Sequence, residues 1–165
     1  MAYDYSTSRW LHAKTVIFQA NTSTTLLTHT GTIRLPARST LLDIYIIPEV
    51  LWTATTASLV VGDANSANGW FVATDLKATV LILGERLQAS QAVATDGSYG
   101  GGVEGAYVTT AGRFGQQATN MIGGYCPNAY SVIGVVTVTG ATGVGTTRMT
   151  VVYSRGAAVK SVLSA

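Results

Sequence analysis

The chain has 165 residues and a mass of 17.2 kDa, which suits one domain with a sizeable hydrophobic core. Hydrophobic residues make up 47% of it and charged residues only 11%, whereas charged residues are about 25% of an average soluble domain. Its ten basic residues never form a run, its net charge is only +2, and its single cysteine excludes an intramolecular disulfide.

The first twelve residues predict an extended N-terminal arm that precedes the folded domain. Beyond them, short runs of β-branched residues alternate with Gly, Asn, Asp and Pro, a pattern that is typical of strands joined by turns. The predicted strands are Lys14–Gln19, Leu26–Leu35, Leu41–Ile47, Thr53–Val61, Trp70–Val72, Thr79–Leu83, Ala129–Thr139 and Thr146–Tyr153.

Glycine and proline positions refine these strands. Gly31 predicts a bulge in the second strand, and Pro48 predicts the end of the third. The glycine-rich segment 140–145 predicts a hairpin loop between the last two strands. Residues 88–112, which are small and polar, predict a long loop or contact arm.

Taken together, these elements predict an all-β, single-domain antiparallel β-sandwich that resembles a jelly roll. The sandwich is expected to span residues 13–155, between the arm of residues 1–12 and a C-terminal tail of residues 156–165. No segment within the domain has the start and stop signals of an amphipathic helix.

Catalytic chemistry finds little support in the sequence. His12 and His29 are the only histidines, and His29 is expected to face solvent or to form a hydrogen bond within its strand. The eight acidic residues are well separated, and no nucleophile elbow is present. We therefore expect no enzyme, no catalytic residues and no cofactor.

One segment offers oxygen ligands at the spacing of a calcium loop. Asp63 and Asn65 match its first and third positions, but Ala67 occupies the fifth and no glutamate occupies the twelfth. The pattern favours a turn in which Asp and Asn side chains bond the local backbone, so no metal site is predicted.

The N-terminus lacks the apolar core of a secretory signal, and no apolar run is long enough to span a bilayer. We therefore expect a soluble protein made in the cytoplasm, without membrane or nucleic-acid partners. Aromatic residues dominate binding hot spots, and the arm carries Tyr3, Tyr5 and Trp10 while the long loop carries Tyr99. These four residues are the predicted partner-binding residues, although the arm could instead fold back on its own domain.

The segment Val60–Lys77 resembles small structural proteins of tailed bacteriophages. In both, a strand ending in Val-Gly-Asp leads through a small polar loop and an aromatic pair to Ala-Thr-Asp-Leu. The preceding strands from Leu41 and the closing strands up to Tyr153 fit the same pattern.

This resemblance implies a capsid decoration, or cement, protein of the jelly-roll type. It would bind the major capsid protein on the outside of a phage head and form a homotrimer, so its location would be the virion after synthesis in the host cytoplasm. Two alternatives stay open: another virion component, such as a tail, neck or head-fibre protein, or a carbohydrate-binding module. In the second alternative, Trp52, Trp70 and Tyr99 would be exposed platforms for sugar rings.

Overall fold

A computed structural model describes residues 10–20, 26–77, 83–84, 86–88, 125–140 and 143–155. Nine β-strands lie within these residues. They are β1 (Trp10–Ala20), β2 (Leu26–Leu35), β3 (Ser39–Val50), β4 (Thr56–Gly62), β5 (Phe71–Asp75), β6 (Leu87–Gln88), β7 (Tyr125–Cys126), β8 (Tyr130–Thr139) and β9 (Gly145–Arg155).

The strands form two antiparallel sheets that pack face to face, which confirms the predicted all-β sandwich. The first sheet has the order β1-β9-β3-β6, with β7 also paired to β3, and the second has the order β2-β8-β4-β5. The pairing is nested: the first strand pairs with the last, the second with the next to last, and so on inward to β4 and β5. A long hairpin wrapped into two sheets in this way is the jelly-roll topology.

Strict alternation of side chains explains why these segments form the two layers. In β9, for example, the odd-numbered residues from Gly145 to Tyr153 are buried and the residues between them are partly or fully exposed. The inward side chains of both sheets form one core. Its fully buried large members are Leu35, Leu41, Ile44, Ile46, Leu59, Val61, Trp70, Leu76, Val132, Val136 and Met149.

Strand β2 has no bulge at Gly31, so that prediction was wrong. The register between β2 and β8 is continuous, and Gly31 lies directly opposite Gly134. A Cβ atom at Gly31 would lie 2.8 Å from the Phe18 ring, which packs on it from the other sheet. Glycine is therefore required here by close packing and not by an irregular backbone.

Pro48 does not end the third strand, because β3 continues to Val50. Proline cannot donate a backbone hydrogen bond, so within sheets it is tolerated at edges and irregularities. The register of β3 against β9 shifts between Pro48 and Val50, and the Pro48 carbonyl accepts a hydrogen bond from Gly84 N at 2.9 Å. The proline therefore lies at such an irregularity.

The predicted hairpin between the last two strands was also wrong. Strand β8 belongs to the second sheet and β9 to the first, so the segment from Gly140 to Val144 connects the two layers. Both strands bury alternate residues in the same core, and this alternation is identical for a hairpin and for a crossing between sheets. The true hairpin is β4–β5, closed by the loop of residues 63–70.

Several sequence predictions concern residues outside the described ranges. These are the arm up to residue 9, most of the predicted strand Thr79–Leu83, the loop beyond Gln88 and the C-terminal tail. Leu83 itself lies in a turn, and Gln88 ends β6. Strand β1 begins at Trp10, so residues 10–12 are paired with β9.

Candidate interaction surface

The outer side of the first sheet carries several exposed apolar side chains. Leu11 and Ile17 of β1 are 70% and 52% exposed, and Tyr125 of β7 is 55% exposed. Leu42 and Val50 of β3 are exposed on the same sheet. We call this surface, the outer side of β1, β9, β3 and β7, the apolar face.

Strand register aligns these residues into rows across the sheet. Ile17 pairs with Arg148, which in turn pairs with Ile47. In the neighbouring row, two residues earlier in β1, Thr15 pairs with Thr150. Their hydroxyl oxygens are 3.0 Å apart. Cross-strand neighbours on one side of a sheet lie about 5 Å apart, so the apolar side chains of β1 and β3 flank Arg148 and Thr150 of the central strand β9.

The charges on the apolar face are largely neutralised or shielded. Arg148 forms a salt bridge with Glu49, and the Arg86 guanidinium lies 4.6 Å from the centroid of the Tyr45 ring. Arg86 also donates a hydrogen bond to Gln88 Oε1 at 2.9 Å. A partner covering this face would therefore have few unpaired charges to desolvate.

The outer side of the second sheet has a different chemistry. Thr28, Thr30 and Thr32 are exposed along β2, and the Thr56 hydroxyl forms a hydrogen bond with that of Thr139. Among the strand residues whose side-chain burial is described, which leaves out residues 10, 26, 27 and 72, the exposed large hydrophobic side chains belong to the first sheet. The two outer sides of the sandwich are thus chemically distinct.

Of the predicted partner-binding residues, only Trp10 lies within a described strand. It begins β1 and is paired with Arg155, next to the exposed Leu11. Tyr3, Tyr5 and Tyr99 lie outside the described residues, so their role stays a prediction. The apolar face therefore includes Leu11, which the sequence assigns to the arm of residues 1–12.

Two of the three proposed sugar platforms are buried, which contradicts that part of the carbohydrate hypothesis. Trp52 is 2% exposed and donates a hydrogen bond from Nε1 to Thr147 Oγ1 at 2.9 Å, and Trp70 is fully buried. A ring inside the core cannot stack on a sugar. Their bulk fills the space between the sheets at opposite ends of the sandwich.

The two histidines have structural surroundings and are not brought together. His12 is exposed and stacks on Tyr153, with the ring centroids 5.2 Å apart. His29 points inward against Trp52, and its Nε2 atom is buried without a hydrogen-bond partner. His29 therefore lies on the inward side of β2, whose odd-numbered positions face the core, but it is only partly buried, and the expectation that it faces solvent or is hydrogen-bonded stays a prediction.

The Asp63 loop forms the turn that its sequence predicts. Asp63 Oδ1 accepts hydrogen bonds from the backbone amides of Asn65 and Ser66, both at 2.8 Å, and Oδ2 accepts one from the Tyr130 hydroxyl at 2.5 Å. The carboxylate thus fixes its own loop and joins it to the start of β8. Within the described ranges, no three His, Cys, Asp or Glu side chains are grouped as metal ligands would be.

Cys126 is buried beneath β3, where it pairs with Ser39. Burial raises the pKa of its thiol, because the thiolate would lose hydration. A thiol in this state is a poor nucleophile. It contributes to packing.

No protein-family model and no curated protein matches the chain. It is similar to a solved structure titled "Cyanophage Pam1 capsid asymmetric unit" at 18% sequence identity and a TM-score of 0.46. The similarity covers 94% of this chain and 90% of the other. At that identity and TM-score, function has to be argued from the chain's own surfaces.

Sequence reasoning did not find the apolar face. Leu11 and Ile17 alternate with polar residues, but alternation alone does not tell which side of a strand faces the core. In β1 the inward side holds His12 and Lys14 near the start of the strand, so hydrophobicity points to the wrong side there. Only the pairing with β9 shows which side of β1 faces the core.

The described part of the chain has no helix that is long and apolar enough to cross a membrane.

Proposed function

We propose that this chain is a capsid decoration protein of a tailed bacteriophage, which binds the outside of the head and stabilises contacts between major capsid protein subunits. The observation that carries the proposal is the apolar face, with Leu11, Ile17 and Tyr125 exposed on a regular sheet. Exposed apolar side chains with few unpaired charges among them suit contact with another protein.

The apolar face is small for a stable interface, which suits a protein that binds a shell in many copies. Three strands about 4.8 Å apart, each about eleven residues long, cover on the order of 500 Å². A stable interface buries about 800 Å² on each partner, so one such face supports only a modest affinity. Oligomerisation and repeated sites on a shell would raise the total binding strength through avidity.

We also propose that the chain has no catalytic activity. The described side chains that could act as bases or nucleophiles already have structural partners. His12 stacks on Tyr153, His29 packs against Trp52, and Asp63 accepts three hydrogen bonds. These groups lie on different elements and do not face a common space.

The proposal includes assembly as a homotrimer, the state implied by the resemblance to decoration proteins. Multi-angle light scattering of the purified chain should then give three times its 17.2 kDa mass, either free or when eluted from heads. A monomer under both conditions would contradict the trimer and leave head binding to be tested separately.

Head binding can be tested by co-sedimentation of the purified chain with heads that lack it, from the virus that encodes it. Ile17→Glu places a charge on β1, within the apolar face, and Thr30→Glu places the same charge on β2, the edge strand of the second sheet. We expect Ile17→Glu to weaken binding at least about tenfold, because the added carboxylate would lose its hydration when a partner covers the face. Thr30→Glu should bind like the unaltered chain.

Three outcomes would contradict the proposal. The unaltered chain could fail to bind heads, or both variants could bind as it does. Imaging of complete virions could instead place the chain at the tail or neck, which would assign it to another virion component.

A further inference from the structure

Basic side chains that are far apart in sequence converge at one end of the sandwich. Lys14, Arg34, Arg38 and Arg155 are all exposed there, and His12 is exposed beside them. We call this group the basic end. It contains four of the seven lysines and arginines that the described residues include.

Strand pairing brings these residues together. Lys14 of β1 donates a hydrogen bond from Nζ to the backbone oxygen of Arg34 in β2, at 2.6 Å. Arg155 of β9 pairs with Ser39, the neighbour of Arg38. Packed sheets lie about 10 Å apart, so the charges of β1 and β9 and those of β2 and the β2–β3 turn lie on both layers at this end of the sandwich.

No exposed carboxylate of the described residues lies at this end. Asp63 is near it but is buried, and both of its oxygens accept hydrogen bonds within the protein. The opposite end is balanced, with Glu49 paired to Arg148, and Asp75 next to Lys77. The charges of the described residues are therefore distributed asymmetrically along the sandwich.

Arg38 has a backbone conformation that is unfavourable for residues other than glycine. Its φ is 61°, in the left-handed region that favours glycine, and its amide donates to Cys126 O at 2.8 Å. Such conformations cost on the order of 1 kcal/mol in non-glycine residues. Glycine would adopt this conformation without strain, whereas arginine adds a positive charge there. The presence of arginine therefore points to a role for that charge.

We propose that the basic end binds an acidic patch of aspartate and glutamate side chains on the partner protein. This inference rests on the proposed function, since the partner there is a capsid subunit. It divides the contact into two parts: the apolar face supplies buried area, and the basic end supplies orientation and salt-dependent attraction.

Carboxylates fit this surface better than single-stranded nucleic acid does. Binding of single strands relies on exposed aromatic rings that stack on bases. The Tyr153 ring at the centre of the basic end is covered by His12 on one side and has Lys14 Nζ 5.8 Å from its centroid. It is therefore closed to a base.

Charge-altering variants test the inference in the head co-sedimentation assay. Arg34→Glu and Arg155→Glu reverse exposed charges at the basic end, and Lys77→Glu makes the same change at the opposite end. We expect each basic-end variant to weaken binding roughly tenfold at low salt, with less weakening at high salt. Lys77→Glu should bind like the unaltered chain.

A further variant separates binding from folding. Arg38→Gly removes a charge but relaxes the left-handed backbone, so it should unfold no more easily than the unaltered chain and still bind heads more weakly. Equal binding by Arg38→Gly and both reversal variants would overturn this inference while leaving the proposed function intact. Failure of the unaltered chain to bind heads would overturn both.

Zero-length cross-linking with a carbodiimide identifies the chemistry of the partner directly. It should join Lys14 Nζ to an aspartate or glutamate of the capsid subunit, as read by mass spectrometry of the bound complex. Cross-links through Lys77 alone would contradict the inference. Tight binding of a DNA duplex would also contradict the inference if Arg34→Glu abolished that binding and left head binding unchanged. The basic end would then be a site for nucleic acid.

Discussion

Gly31 and Gly134 lie directly opposite each other in the β2–β8 ladder, and the ring of Phe18 from the other sheet packs over both. A Cβ at Gly134 would lie 2.7 Å from Phe18 Cζ and 3.0 Å from Met149 Sδ. The paired glycines form a shallow recess that lets one aromatic ring span the gap between the layers. This contact links the edge strand β1, which carries the apolar face, to the second sheet.

Gly134→Ala should therefore destabilise the fold. Overpacking of a filled core costs about 1–3 kcal/mol, which exceeds the stabilisation of about 0.4–1 kcal/mol that alanine provides by restricting the unfolded chain. Urea unfolding measures the difference. Phe18→Leu, which opens space, should partly rescue Gly134→Ala in the double variant. Strictly additive effects would contradict the contact.

Replacement of Thr147 tests the hydrogen bond from Trp52. Thr147→Val keeps the shape but leaves the buried Trp52 Nε1 without its acceptor, and should reduce the free energy of unfolding by about 1–3 kcal/mol. Thr147→Ser keeps the hydroxyl and should cost less. A valine variant as stable as the unaltered chain would show that this bond contributes nothing.

The Asp63 carboxylate is predicted to hold the β4–β5 loop without a metal ion. Asp63→Ala removes three acceptor interactions and should lower the free energy of unfolding by about 2 kcal/mol or more, whereas Tyr130→Phe removes one and should cost less. Calcium or a chelator should leave the melting temperature of the unaltered chain unchanged. A clear rise with calcium would indicate that the carboxylate binds the ion.

Cys126 should make stability depend on pH in the alkaline range. Its pKa is raised by burial, so above the ordinary thiol pKa of about 8.5 the unfolded chain releases the proton while the folded chain retains it. Stability should fall as the pH rises from about 8 to 10, relative to Cys126→Ala, and the two chains should show no such difference near pH 7. Parallel curves over the whole range would contradict this.

Local patterns predicted the elements of the fold well. Period-two alternation and turn residues identified most of the described strands, and Asp63 with Asn65 indicated the correct loop. These features depend on neighbours within a few residues, which a sequence displays directly.

Long-range relationships could not be predicted in the same way. The loop between β8 and β9 connects two sheets, but its glycines suit a hairpin equally well. Lys14 and Arg34 are twenty residues apart, and Arg155 is far from both, so only strand pairing shows that their charges converge. The apolar face and the basic end were missed for this reason.

The most direct test of the account is a cryo-electron microscopy reconstruction of heads to which the purified chain has been added. We predict added density for the sandwich on the outer surface, with the β1-β9-β3 sheet turned toward capsid subunits and Ile17 at the contact. Density in which that sheet faces solvent, or heads with no added density at saturating concentration, would contradict the central claim.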